Sequence, residues 1–216
     1  GYNTLLKAVA SSSAGDVIEL TAPGEYWNNA PVTIQHYLII RATGASASKP
    51  VLRYNGRGSE PMVMIAGGGH LDISGVAFNG IPEEYLRDPK GFISTASTMI
   101  EDYTLSVSGC DFSSFNRSGT YAISCNKGTF APWIVIRDCR FFDLPWDAIV
   151  LTRETDFYCR YNVENLEVSN CLFANVGGRA IDLSRLGYDD STAGANTKID
   201  HCTFYNVFNR EQGTVI

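Results

Sequence analysis

One short pattern returns along this chain, and it restricts the fold more than any other feature. Leu105, Val107, Cys110 and Phe112 form one copy. Ile134, Ile136, Cys139 and Phe141 form the next, followed by Leu166, Val168, Cys171 and Phe173, then Thr197, Ile199, Cys202 and Phe204. Leu71, Ile73, Val76 and Phe78 make a looser copy upstream. From Val76 through Cys110, Cys139, Cys171 and Cys202 the intervals are 34, 29, 32 and 31 residues. A period of roughly 20–50 residues belongs to solenoids, propellers and arrays, where each unit buries its apolar face against the next.

The unit is strand-like, because apolar residues alternate at 105/107, 134/136 and 166/168. The alternation slips by one just before the cysteine, at Gly109, Asp138, Asn170 and His201, with Gly75 in the looser copy. These residue types tolerate positive φ. A bend there lets both flanking strands keep their apolar side chains inward. A further strand follows each copy, at Ala122-Ile123, Ala148-Ile149, Ala180-Ile181 and Thr214-Val215. Between them lies an aligned polar position (Ser114, Asp143, Asn175, Asn206), followed by Phe115, Leu144, Val176 and Val207. In a parallel sheet such equivalents stack about 4.8 Å apart.

The expectation is an all-β fold, a right-handed parallel β-helix, with Cys, Phe and Asn-type ladders inside. Its handedness follows from the general crossover rule. Residues 4–14 read as a short helix stopped by Gly15, placed to cap the open edge of the first coil. Residues 16–20 read as the first strand, and Val32-Ile34, Leu38-Ile40, Val51-Leu52 and Met62-Ile65 as further ones.

A chain of 216 residues reads as one domain, residues 1–216. Its last residues fall inside a strand with no polar cap, which is expected of a fragment of a longer β-helix. A net charge of −6 argues against a general nucleic-acid binder, which needs a basic face. No apolar run reaches about 18 residues, so no membrane-spanning helix is expected. The first residues carry no signal-peptide pattern.

Of six cysteines, four are ladder positions where Val76 can substitute, so free thiols acting as small core hydrophobes are expected. Cys125 reads as inward and Cys159 as exposed in a loop. No CxxC pair occurs, which argues against zinc.

The chemistry lies four residues past each second-strand isoleucine, at Lys127, Arg153 and Arg185. Three stacked cations repel one another and call for anions nearby. Glu154, Asp156, Asp189, Asp190 or a bound ligand can supply them. Two readings stay open: a groove for an acidic polymer, with planar Arg gripping carboxylates, or a solvated column paired with local acids. Long inserts at residues 80–97, 152–163 and 185–196 are expected on one face. Tyr121, Trp133, Trp146 and Tyr188 either stack on sugars or pack beneath loops. His36, His70 and His201 are isolated. Asp182 with Asp189 is a hydrolytic pair of little specificity.

The opening Gly15-Asp16-Val17-Ile18-Glu19-Leu20 with Pro23-Gly24-Glu25-Tyr26, and the coil Cys202-Thr203-Phe204-Tyr205-Asn206, resemble polysaccharide lyase family 6. That family comprises the chondroitinase B-like and alginate-lyase β-helix proteins; pectate-lyase-like proteins share the architecture. The resemblance implies β-elimination beside a uronate, with a Lys base, an Arg from the next coil and calcium neutralising the carboxylate. Carried over, Lys127 is the base and Arg153 the assisting Arg. A neighbouring Arg and a desolvated site lower a Lys pKa, as a base requires. The family's metal-binding glutamates precede the Lys, whereas here Tyr121, Ala122, Ile123, Ser124, Cys125 and Asn126 carry no carboxylate.

The sequence therefore reads as a secreted or periplasmic lyase of an acidic polysaccharide such as alginate, chondroitin or dermatan. Lys127 and Arg153 are catalytic in that reading, while Arg185, Tyr121, Trp146 and Tyr188 bind substrate. The alternatives are a non-catalytic carbohydrate-binding or scaffold β-helix domain of a larger protein, and an adhesin.

Overall fold

A computed structural model describes residues 1–44, 48–56, 60–80, 89–97, 101–113, 121–152, 162–183 and 195–208. Each coil contributes one strand to each of three parallel sheets. The first sheet runs Val17–Thr21, Tyr37–Thr43, His70–Ser74, Thr104–Ser108, Ala131–Arg137, Val163–Ser169 and Asn196–Asp200. The second runs Glu25–Asn28, Val51–Tyr54, Ala77–Asn79, Asp111–Ser113, Arg140–Leu144, Leu172–Val176 and Thr203–Val207. The third runs Val32–Ile34, Pro61–Ile65, Gly91–Thr95, Tyr121–Ser124, Ile149–Val150 and Ile181–Asp182. This is the β-solenoid that the repeat demands.

The register matches the sequence repeat residue for residue. Leu71, Leu105, Ile134 and Leu166 are successive partners in the first sheet, and Phe78, Phe112, Phe141, Phe173 and Phe204 in the second. The bend residues Gly75, Gly109, Asp138, Asn170 and His201 have φ of 70°, 59°, 56°, 52° and 51°. That left-handed corner turns the chain from the first sheet into the second without spoiling either register.

Inside, the phenylalanines form one column. Phe78, Phe112, Phe141 and Phe173 stack at centroid distances of 4.8 Å, with ring planes within 9° of parallel. The sheet spacing sets that distance. Cys110, Cys139 and Cys171 are buried free thiols, as is Cys125. A hydrogen bond with Cys110, together with burial, pushes the Cys139 thiol up to about 12, so it stays protonated. Cys159 lies outside the described residues, as do Ser114, Phe115, Thr214 and Val215.

Two expectations need correction. The Asn-type ladder is on the outside. Asp143, Asn175 and Asn206 have φ of 54°, 54° and 50° and are exposed. Their side chains bond from turn to turn: Asn175 Nδ2 donates to Asp143 Oδ1 and Asn206 Nδ2 to Asn175 Oδ1, both at 2.9 Å. A left-handed residue at this second corner points its side chain away from the core, which the residue types alone do not reveal. The helix is also shorter than expected, Thr4–Ala10, because Ser11 leaves helical geometry at its C-cap. Leu5 and Val9 are buried in the core, so it does cap the first coil.

Candidate functional site

The third sheet leads to the site. Its inward column is aliphatic throughout: Val32, Val63, Ile93, Ile123, Ile149 and Ile181 are successive partners. This fixes the strand Tyr121–Ser124 against the core and sets where the following turn emerges. Lys127 and Gly128 form that turn, both exposed. Gly128 has φ of 74°, which a Cβ would strain, and open space around it.

Buried polar groups hold the turn from beneath. Asn126 N–H donates to Thr95 Oγ1 at 2.8 Å, and Asn126 Nδ2 to the Thr95 carbonyl at 2.6 Å. Thr129 Oγ1 donates to the Asn126 carbonyl at 2.7 Å, and Asn162 Nδ2 to the Thr129 carbonyl at 2.9 Å. Thr95, Thr129 and Asn162 are 2%, 3% and 0% exposed, so each bond has at least one partner shielded from water. Three coils are thus tied to one turn, and Lys127 is presented from a fixed backbone.

Beside it an open cleft of about 180 Å³ lies on the outer face of the third sheet. Glu60, Met64, Lys90, Ser94, Ser124 and Asn126 are among the residues that line it. Ser124 Oγ donates to Ser94 Oγ at 3.0 Å across adjacent coils, and Met64 is the next partner of Ser94. Gly91 sits at the floor, where a Cβ would come within 2.9 Å of the Tyr121 carbonyl. The two chains approach there only because no side chain intervenes. Glu60 Oε2 accepts the Tyr54 hydroxyl at 3.1 Å.

Of the expected site residues, Lys127, Tyr121 and Trp146 are described; Arg153, Arg185 and Tyr188 lie outside the described residues. The proposed column of three cations is therefore represented by Lys127 alone. Tyr121 is half-buried in its strand, and Trp146 is half-buried in the turn after Arg140–Leu144. Neither lines the cleft. Trp133 is 52% exposed on the first sheet, away from this face, and so does not pack beneath a loop. Asp189, Glu154 and Asp156 also lie outside the described residues.

Asp182 is buried, bonded by Arg179 Nη1 at 2.6 Å and Thr152 Oγ1 at 3.4 Å. That is the position of a structural ion pair. The histidines are separate: His36 meets Ser12, His70 meets Thr104 and His201 meets Asp200. Sequence reasoning passed over Lys90, the Ser94–Ser124 pair and the Thr95–Thr129–Asn162 support. The one legible signal was a serine one residue after the inward isoleucine on two successive coils.

Calcium prefers six to eight oxygen ligands with several carboxylates among them. The strand before Lys127 supplies none, and among the described residues no group of three or more His, Cys, Asp or Glu side chains converges on one point. Among the described residues Glu60 is the one carboxylate that lines the cleft, and the Lys90 ammonium lines it too. The described donors alone do not fit a dication.

Among solved structures, the chain is similar to the PL6 family alginate lyase AlyGC, at a TM-score of 0.86 and 27% identity. The match covers 98% of this chain and 28% of AlyGC, so this chain spans less than a third of that enzyme's length. No family model matches the sequence, and no curated protein does. The likeness first visible in the opening coil therefore extends through the whole solenoid, which has a polysaccharide lyase fold. No helix among the described residues is long and apolar enough to cross a membrane.

Proposed function

We propose that this chain carries the proton-abstracting lysine of an acidic-polysaccharide lyase, working outside the cytoplasm on a uronate polymer such as alginate or a glycosaminoglycan. The observation behind the reading is the placement of Lys127. It stands on a turn tied to the coils on either side, one residue past Asn126 in the cleft wall, in a fold similar to that of an alginate lyase. Fold alone does not carry activity; a lysine presented from a fixed backbone just past a strand is what suits the chemistry.

In the proposed step, neutral Lys127 Nζ takes the proton from C5, the carbon beside the uronate carboxyl. The C4–O bond breaks, a C4=C5 double bond forms, and the departing oxygen takes a proton from water. A pre-positioned base contributes typically 10²–10⁴-fold. Arg153, from the next coil, is the proposed assisting cation.

The test follows ultraviolet absorbance of the unsaturated product with alginate, chondroitin and dermatan, for the wild type and Lys127→Ala. Product from the wild type at a rate at least a hundredfold above Lys127→Ala supports the lyase. A second reading is favoured by the strand Tyr121–Ser124, which brings no carboxylate to the site. In it the same face binds an acidic polymer without cleaving it. Polymer retention by the wild type with no product formed selects that reading.

A further inference from the structure

We infer that the cleft beside Lys127 takes the carboxylate of one acidic sugar unit through Lys90 and the Ser94–Ser124 hydroxyl pair, with no divalent cation between them. The inference rests on the acidic-polymer reading above and deepens it.

The donor set suits an anion. An ammonium offers three N–H donors and no acceptor, and a hydroxyl offers one O–H. One hydroxyl of the Ser94–Ser124 pair donates to the other, which leaves the acceptor's own proton to be offered into the cleft. The Asn126 amide is tied to the Thr95 carbonyl, which fixes the wall next to Lys127. Lys90 immediately precedes the strand Gly91–Thr95, and its backbone N–H donates to the Glu60 carbonyl at 2.8 Å. Its base is therefore anchored while its head is exposed.

A carboxylate meeting Lys90 forms a charge-assisted hydrogen bond, about twice as strong as a neutral one. A dication in the same cleft would face the Lys90 ammonium as a like charge. Glu60 also lines the cleft, and its carboxylate already accepts from Tyr54. Its other oxygen can accept a sugar hydroxyl. The cleft's 180 Å³ equals the liquid volume of about six waters, the scale of one sugar ring and not of a chain.

The experiment is calorimetric titration of the chain with an alginate tetrasaccharide, once in EDTA and once in calcium. The expected dissociation constants agree within about twofold. In EDTA, Lys90→Ala and Lys90→Gln weaken binding about tenfold, the loss of one charge-assisted bond. Lys90→Arg restores most of it. Binding that requires calcium overturns this inference and leaves the acidic-polymer reading standing. So does wild-type affinity in both Lys90→Ala and Lys90→Gln. Absence of binding in both buffers, with wild-type circular dichroism, overturns both readings together.

Discussion

The first and third sheets are built from the same coils, yet they differ on their outer faces. On the first sheet the outer positions hold solvent-facing pairs such as Arg41 with Glu19, 2.7 Å apart, and Arg137 with Glu167, 2.8 Å apart. Burial alternates cleanly along its strands, as in His70–Ser74 and Thr104–Ser108. On the third sheet the alternation is kept at Val32–Ile34 but lost further on: Gly91–Thr95 is buried at every position, and so is Ile149–Val150. Its inner column stays aliphatic, while its outer one varies, through Met64, the Ser94–Ser124 pair, Val150 and Asp182. A repeat is kept where stacking is all that is asked of it. It breaks where side chains are taken to hold a turn and shape a cleft.

Four substitutions test that contrast. The shared interior is expected to tolerate least. Phe141→Ala removes a ring stacked on both sides and costs about 4 kcal/mol, read as a lower urea midpoint. Next comes the support beneath Lys127. Asn162→Ala leaves the buried Thr129 carbonyl short of its amide donor and costs about 2 kcal/mol. Unlike Phe141→Ala, it also speeds amide hydrogen exchange at Gly128.

A smaller effect is expected at Asp111 in the second sheet, which accepts from Arg140 Nε at 2.8 Å and Lys49 Nζ at 2.7 Å. Burial works to raise its pKa, but these two bonds outweigh it and hold the carboxyl below the ordinary carboxylate range. A lowered folded pKa stabilises above the unfolded value, about 3.9, and that gain is lost as pH falls through the folded one. Asp111→Asn should cost about 1.5 kcal/mol at pH 7, because Arg140 is largely exposed and screened by water. The difference from wild type should shrink as pH falls below the unfolded value, about 3.9, in acid-unfolding curves. Least of all, Arg41→Ala should stay within about 0.5 kcal/mol and fall to nothing in 1 M salt. A loss at Arg41 equal to that at Asn162 would erase the contrast between the two faces.

The fold was legible because its rule is local and repeated. Cys110, Cys139 and Cys171 mark equivalent rungs, and the residue before each sits at positive φ as its type suggested. The polar ladder at Asp143, Asn175 and Asn206 was placed on the wrong side, since an Asn can serve either environment; Asn28 is fully buried. The site was half legible. Lys127 stands in the turn that follows the strand Tyr121–Ser124, four residues past Ile123. Its support was not legible: Thr95, Thr129 and Asn162 lie 34 and 33 residues apart, close to the repeat period, but outside the aliphatic and aromatic positions by which the repeat was recognised. Arg153 and Arg185, the rest of the expected column, fall outside the described residues.

The corner bonds between Asn206, Asn175 and Asp143 link residues 31 and 32 apart, and the Arg140–Asp111 bond spans 29. Every loop that must close is nearly the same size, so each costs nearly the same entropy, about 3 kcal/mol by the logarithmic law. No stretch of the chain is a privileged nucleus on that account. Winding can begin in the middle and spread both ways like a zip, and a local defect should divide the molecule into two separately melting halves.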